Sequence, residues 1–281
     1  MTVFFDRIPD SVFRVISVVA IALLLLLIIF PLYFMATTAF KLEAEIYSEL
    51  TWFPQTPTLN NFFDVIYSFR IPLYLRNTLI VALITTSIVV IISTLAAYAL
   101  TRLRFPGRAV LARGVLFVYL VPGALMLIPM YLIISNLQLK DTYLGLIIAN
   151  MSFAVPFCTW LLMGYLRTFS IEMEEAALID GCTRLQSLWH IVIPLTIPGI
   201  VTAAIFIFNN VWNEFIFALV LAQDENHRMI SVGLSNFYRS DYYVIGPMMA
   251  GSLIAMLPVV VLYILAQRYV VSGLAAGAVK G

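Results

Sequence analysis

The chain has 281 residues, 62% hydrophobic and 11% charged, with a net charge of +1, whereas ordinary soluble domains carry about 25% charged residues. This composition argues against a soluble globular class and against a nucleic-acid partner, which needs a basic face, and it points to a membrane protein. The two cysteines, Cys158 and Cys182, lack any C-x-x-C or Cys/His spacing that would bind metal or staple a secreted fold, and read as small thiols.

In chain order, the first apolar run contains Val15 to Phe34 without a charge, about the 20 residues needed to cross roughly 30 Å of hydrocarbon. Its core is longer than the ~7–15 residues of a secretory leader and no A-x-A site follows. It is expected to be a retained anchor. Segment 40–75, with Pro54, Pro57 and several aromatics, reads as a loop holding one amphipathic helix near the interface. Further runs bounded by charges, Pro and Gly give six expected spans: 12–35, 76–100, 112–134, 142–166, 195–221 and 246–268. Pro122, Gly123, Pro129, Pro156, Gly246, Pro247 and Pro258 break or kink them, as membrane bundles tolerate where neighbours or a cavity satisfy the freed backbone. The expectation is an all-α polytopic membrane protein forming one domain over 1–281.

Arg and Lys set the orientation. With both termini cytoplasmic, ten cationic residues fall inside (Arg7, Arg14, Arg102, Arg104, Arg108, Arg113, Arg167, Arg184, Arg268 and Lys280) against six outside. The sharpest signal is TRLRFPGRAVLAR, Thr101 to Arg113, with four arginines and no acid.

Between spans four and five lies an insert, about 168–194, on the cytoplasmic side. Ser170 is an expected N-cap, and Glu172, Glu174 and Glu175 complement the dipole of the helix that follows. Gly181 ends that helix as a C-cap glycine does. Thr183 and Gln186 have capping-box spacing. Leu185, Leu188, Trp189 and Val192 make an apolar stripe, and Pro194 closes the unit. Ala176 and Ala177 leave a smooth surface that a cytoplasmic protein can grip; the alternative, a hairpin lying on lipid, sets acids against an anionic leaflet.

In span five, FNNVWNEFIF puts Asn209, Asn210, Asn213 and Glu214 on an arc of about 140°, hence on one side of the helix. A carboxylate at that depth costs roughly 2.5–3.5 kcal/mol and should face a partner, the bundle interior or water. Amides, a carboxylate and the surrounding aromatics suit a polyol or sugar pathway; interhelical glue is the competing reading. The polar segment from Ala222 to Val244, including Asn236, Tyr238 and Tyr242, is expected outside, either as a contact for a soluble partner or sugar or as a solvated connector.

The run Glu175-Ala176-Ala177, Gly181, Ile191 and Pro194 resembles the E-A-A, three residues, Gly, nine residues, I-x-L-P signature of integral-membrane subunits of binding-protein-dependent ATP-binding-cassette importers. Ile193 stands where that family usually has Leu, an exchange of equal size. VPGALMLIPMYLIISNLQLKDTYLGLII, EEAALIDG, VWNEFIFAL and QRYVVSGLAAGAVKG are similar to the smaller permease subunits of the carbohydrate-uptake branch, such as the maltose system.

The resemblance implies an ATPase-coupling site at Glu174, Glu175, Ala176, Ala177, Asp180, Gly181, Ile191 and Pro194. It implies an ATPase-contacting tail at Gly277, Ala278, Val279 and Lys280, and a binding-protein contact at Asn236, Tyr238 and Tyr242. Its expected partners are a second permease subunit, an ATPase dimer, an extracytoplasmic sugar-binding protein and membrane lipid, in the bacterial inner membrane.

No G-x-x-x-x-G-K-[ST] occurs, so ATP and Mg are expected on the separate ATPase subunit, with no cofactor or metal site and no enzymatic activity in this chain. The expected function is a permease moving a sugar or glycoside by alternating access. Two alternatives stand: a proton-coupled secondary transporter using Glu214, or the same importer carrying a phosphorylated polyol or sulfonated sugar. Neither His190 nor His227 lies in a span, and no H-E-x-x-H or G-x-S-x-G occurs, which argues against an intramembrane enzyme.

Overall fold

The computed structural model describes residues 10–48, 50–238 and 244–278, with 10–11, 238 and 268–278 as backbone alone, and among them every regular element is helical. Five helices are long and apolar enough to cross a membrane: Val12–Ala39, Ile71–Arg102, Tyr143–Leu166, Arg184–Trp212 and Ile245–Gln267. A sixth crossing would combine Arg108–Tyr119 with Gly123–Asn136, which meet at 94°. The chain divides into two compact units, residues 1–69 with 237–254, and residues 70–236 with 255–281.

In the first unit, α1 (Asp10–Ala39) is apolar on every side, and Leu23 to Ile29 are all more than half exposed. A helix greasy all round requires lipid or protein around it. Its C-terminal end is held by Asn61, which is buried and donates to the carbonyls of Ala39 (2.9 Å) and Lys41 (2.8 Å). The expected loop with one amphipathic helix holds two short helices, α2 (Glu43–Ile46) and α3 (Asn60–Tyr67), the second carrying Asn61. Glu45 organises the intervening turn by accepting from the Thr51 hydroxyl and the Gln55 N–H, each at 2.9 Å. The Gln55 bond is the main reason its carboxyl is held below the usual range.

In the second unit, α4 (Ile71–Arg102) is the central helix. It packs most extensively on α7 (Tyr143–Leu166) and next on α10 (Ile193–Trp212). The contacts are built from small and hydroxylated residues: Ala82, Thr85, Ser93 and Ala97 on α4, Ala149 and Thr159 on α7, Ala203 on α10. Small side chains let helices approach closely where lipid supplies no hydrophobic drive between them. Gly199 shows how close: a Cβ there would lie 2.6 Å from the Tyr165 ring. The hydroxyls of Thr78 and Thr94 return to carbonyls one turn back at 2.8 and 2.7 Å, so their burial leaves no donor unpaired.

Two expected spans are revised. The single run over 112–134 is α5 (Arg108–Tyr119), a tight turn at Gly123–Met126 and α6 (Leu127–Asn136), broken where Pro122 has no N–H to donate. The insert does not close at Pro194. After α8 (Glu172–Ile179), α9 (Arg184–Ser187) runs through a wide turn over Leu188–Val192 directly into α10, giving a helical segment from Arg184 to Trp212. In that wide turn the Ile193 N–H reaches the Leu188 carbonyl five residues back, an extra-residue bulge that absorbs the proline next to it. The chain then forms α11 (Ile216–Leu221), α12 (Ile230–Ser235) and α13 (Ile245–Ala278).

Candidate functional site

Local hydrogen bonds close both turns of the insert, although Ile171 and not the expected Ser170 holds the N-cap position of α8. Ser170 accepts from the Glu172 N–H (3.2 Å), and three acids occupy the first turn of α8. At its end, Gly181 has φ +90°, a region that glycine enters without a Cβ penalty. The Cys182 N–H bonds to the Ala177 carbonyl (3.0 Å) and the Gly181 N–H to that of Leu178 (3.2 Å), the paired bonds of a Schellman ending. Thr183 and Gln186 form the reciprocal capping box at the start of α9.

Within this frame the expected contact residues divide. Glu175, Ala176, Asp180, Gly181 and Pro194 are exposed, and Ile191 is half-buried. Ala177 is 7% exposed and faces the protein, so the pair Ala176–Ala177 is not one smooth outer surface. The outward apolar residues are instead Ile179 (86% exposed), Leu185 and Trp189; of the expected stripe, Leu188 and Val192 turn inward.

Glu174 is also inside. Its carboxylate lies 2.7 Å from Arg102 Nε, with both side chains under a tenth exposed. The same guanidinium donates to the carbonyls of Leu166 (2.8 Å) and Phe169 (3.0 Å). Arg102 thus joins the end of α4, the end of α7 and the first turn of α8. Sequence reasoning counted it only among the cytoplasmic cations, because an arginine ending an apolar helix reads as an interfacial anchor, and nothing in the residue order singles out Glu174 from the neighbouring acids as its partner.

The span-five residues do not share one helical face, because α10 ends at Trp212. The Asn213 amide folds back onto the Asn209 carbonyl (2.8 Å) and side-chain oxygen (3.1 Å). Glu214 accepts the N–H groups of Phe217 (2.7 Å) and Ala218 (2.8 Å), and so caps α11. Asn210 and Glu214 line a cleft of about 590 Å³ together with Asn150 and the rings of Tyr119, Phe153, Phe157, Phe206 and Phe217; Asn209 and Asn213 do not. Among the described residues no Arg or Lys lines it.

At the other end of α4 a polar network fixes the segment 222–230. Asn77 is fully buried and donates to the carbonyls of Asn226 (2.8 Å) and Arg228 (3.0 Å) while accepting the Tyr143 hydroxyl (2.8 Å). Thr78 accepts the Ile230 N–H, and Asp141 accepts that of Asp224, both at 2.8 Å. Asp224 lies 3.0 Å from His227 Nδ1, and this bond is the main cause that holds its carboxyl below the usual range. Asn236 is half-buried after α12, and the backbone of Tyr238 continues the turn. Tyr242, Val279 and Lys280 lie outside the described residues, and Gly277 and Ala278 are described only as the helical end of α13.

Residues 89–275 match the family described as binding-protein-dependent transport system inner membrane component. The chain is 36% identical over 264 residues to the inner membrane ABC transporter permease protein YcjP of Escherichia coli K12, covering 93% of this chain and 94% of that one. It is 36% identical over 265 residues to the sulfoquinovosyl glycerol transport system permease protein SmoH of Agrobacterium fabrum, covering 94% and 93%. The fold is similar to a chain of a bacterial ABC transporter involved in import of the acidic polysaccharide alginate, with TM-score 0.78 and 21% identity over 93% of this chain and 97% of that chain.

Proposed function

The chain belongs to the family of binding-protein-dependent transport system inner membrane components, and on that premise we propose that it is one permease subunit of an importer moving a sugar or glycoside across a bacterial cytoplasmic membrane by alternating access. An ATPase dimer, carrying ATP and Mg, grips the insert; a second permease completes the pathway; a sugar-binding protein delivers cargo on the opposite face. Both termini and the insert are cytoplasmic, as the arginine distribution favours. In this reading Gly277, Ala278, Val279 and Lys280 serve as the ATPase-contacting tail, and Asn236, Tyr238 and Tyr242 as the binding-protein contact.

The observation that carries this reading is the insert itself. It presents Glu175, Ala176 and Ile179 outward on a helix stopped at both ends, while Glu174 is tied through Arg102 to α4 and α7. A push on α8 is therefore a push on spanning helices, and it also enters α10 through the continuous helix beyond α9. Energetic coupling requires that ATP and the loaded binding protein favour the same global state. The cleft supplies amides, one carboxylate and aromatic faces, which suit a neutral glycoside; an anionic cargo, such as the sulfonated sugar named for the Agrobacterium relative, would draw its cations from the second permease.

Reconstitution with the partner subunits in proteoliposomes tests the proposal. Wild type is expected to accumulate sugar only with ATP inside, and Glu175→Lys or Gly181→Val to lose uptake and stimulated hydrolysis together. Unchanged uptake in both variants, or uptake that collapses with an uncoupler while ATP is present, contradicts it.

A further inference from the structure

A second cleft, of about 510 Å³, opens between the first turns of α5 and the last turns of α7. Among the described residues three arginines line it, Arg108, Arg113 and Arg167, over apolar surface from Leu100, Leu116 and Trp160, and no acidic residue does. Arg108 is partly engaged, donating to the Leu103 carbonyl at 3.0 Å. Among the described residues Arg113 and Arg167 make no ion pair, and both are exposed. The first turn of α5 adds to the same field: it follows Gly107 at the N-cap position, has no side-chain cap and no acid, and leaves its N-terminal dipole uncompensated.

We propose that this cleft binds an anionic phospholipid, with the phosphate among Arg108, Arg113 and Arg167 and an acyl chain along Leu116 and Trp160. The cleft sits where apolar helices end: α4 stops at Arg102, α5 starts at Arg108 and α7 stops at Leu166. That is headgroup depth, where a basic pocket beside spanning helices matches an anionic lipid. The chemistry separates this site from the cleft lined by Asn210 and Glu214. A glycoside needs hydrogen-bond acceptors as well as donors, yet every charged side chain here donates only. A phosphate needs only donors and positive charge, and the three guanidinium groups supply both. The half-exposed Trp160 ring, stacked on Tyr119 with centroids 6.0 Å apart, gives the acyl chain a rigid wall. Assigning the lipid to the cytoplasmic leaflet rests on the orientation proposed above; binding itself does not.

Native mass spectrometry of the purified, delipidated transporter complex, titrated with phosphatidylglycerol or phosphatidylcholine, tests the site. Wild type is expected to retain phosphatidylglycerol selectively. Arg113→Gln with Arg167→Gln should weaken that retention by about tenfold or more, since each cation near the surface contributes separately, and Arg113→Lys with Arg167→Lys should keep most of it. Equal retention of the two lipids, no loss in the Gln variant, a Lys variant as weak as the Gln one, or displacement by excess inorganic phosphate overturns the proposal. A disulfide cross-link from Ala112→Cys to the second permease also overturns it, because protein would then fill the cleft. ATP-driven uptake is scored separately, so failure of the importer reading leaves the lipid result interpretable.

Discussion

Replacing Glu174 with Gln keeps the volume of the side chain but removes the carboxylate that, among the described residues, pairs with the buried Arg102 guanidinium. Arg102 would retain its two carbonyl acceptors, Leu166 and Phe169, yet its charge would stand uncompensated with the side chain only 9% exposed. Removing one partner of a buried pair costs about 3–5 kcal/mol. The surviving carbonyl bonds favour the lower end, which is still roughly a hundredfold in an equilibrium at ~1.4 kcal/mol per factor of ten. Because the pair fastens α8 to the ends of α4 and α7, that loss falls on local opening of the insert rather than on the whole fold. Hydrogen exchange of the α8 amides reads it, and a spin label on the exposed Cys182 reports the same opening, since Cys158 is buried and leaves the label specific. Exchange should accelerate by about a hundredfold in Glu174→Gln and further in Arg102→Met, which also strips the Leu166 and Phe169 carbonyls of their donor. The double apolar variant, Arg102→Met with Glu174→Met, should recover part of the loss because no buried charge remains. Unchanged α8 exchange in Glu174→Gln, or a double variant worse than the sum of the singles, refutes the reasoning.

Asn77→Ala removes two donated bonds and one accepted bond from a fully buried site, a loss of about 2–4 kcal/mol; it should raise proteolysis within 222–230 and abolish binding-protein stimulation of ATPase while basal hydrolysis persists. The lowered Asp224 carboxyl means that its contribution to the same segment is present at neutral pH and lost as pH falls through its depressed folded value. His227→Gln should move that loss to higher pH, read as amide exchange of 222–230 against pH; an unmoved midpoint would count against the pairing. Gly145→Ala places a Cβ against the Leu139 carbonyl in the first turn of α7, and should lower the apparent melting temperature of the purified complex by an amount matching about 1–3 kcal/mol.

Much of the architecture is legible in residue order, and the failures have specific causes. Apolar runs reveal α1, α4, α7, α10 and α13 because a helix in lipid needs nothing but length and grease. The Thr183–Gln186 box and Gly181 are legible because capping is local, settled by atoms three to five residues apart. The bend at Pro122 is flagged by residue type, but its angle depends on what packs around it. Pro194 misleads in the opposite sense: a proline that predicts a stop is absorbed by a wide turn that ends two residues earlier, at Val192. Span five fails as a continuous face because periodicity assumes continuity, and α10 ends at Trp212, so that Glu214 caps α11 while it still lines the cleft. Arg102 and Glu174 illustrate the harder limit. Each is ordinary in its own window, and only the packing of α4 and α7 brings them within 2.7 Å. Asn77 is similar, an amide in an apolar run whose partners come from the far end of the second unit.

The central claim, that the insert is where an ATPase grips this permease, is tested most directly by cross-linking within the assembled complex. Ile179→Cys (86% exposed) and the native, exposed Cys182 are the probes, and Leu50→Cys (73% exposed), on the segment expected outside, is the control. With a short thiol-to-amine reagent, the insert positions should join to the ATPase subunit and Leu50→Cys should not. Adducts from Leu50→Cys alone, or none from either insert position in a complex that still hydrolyses ATP, would contradict the account.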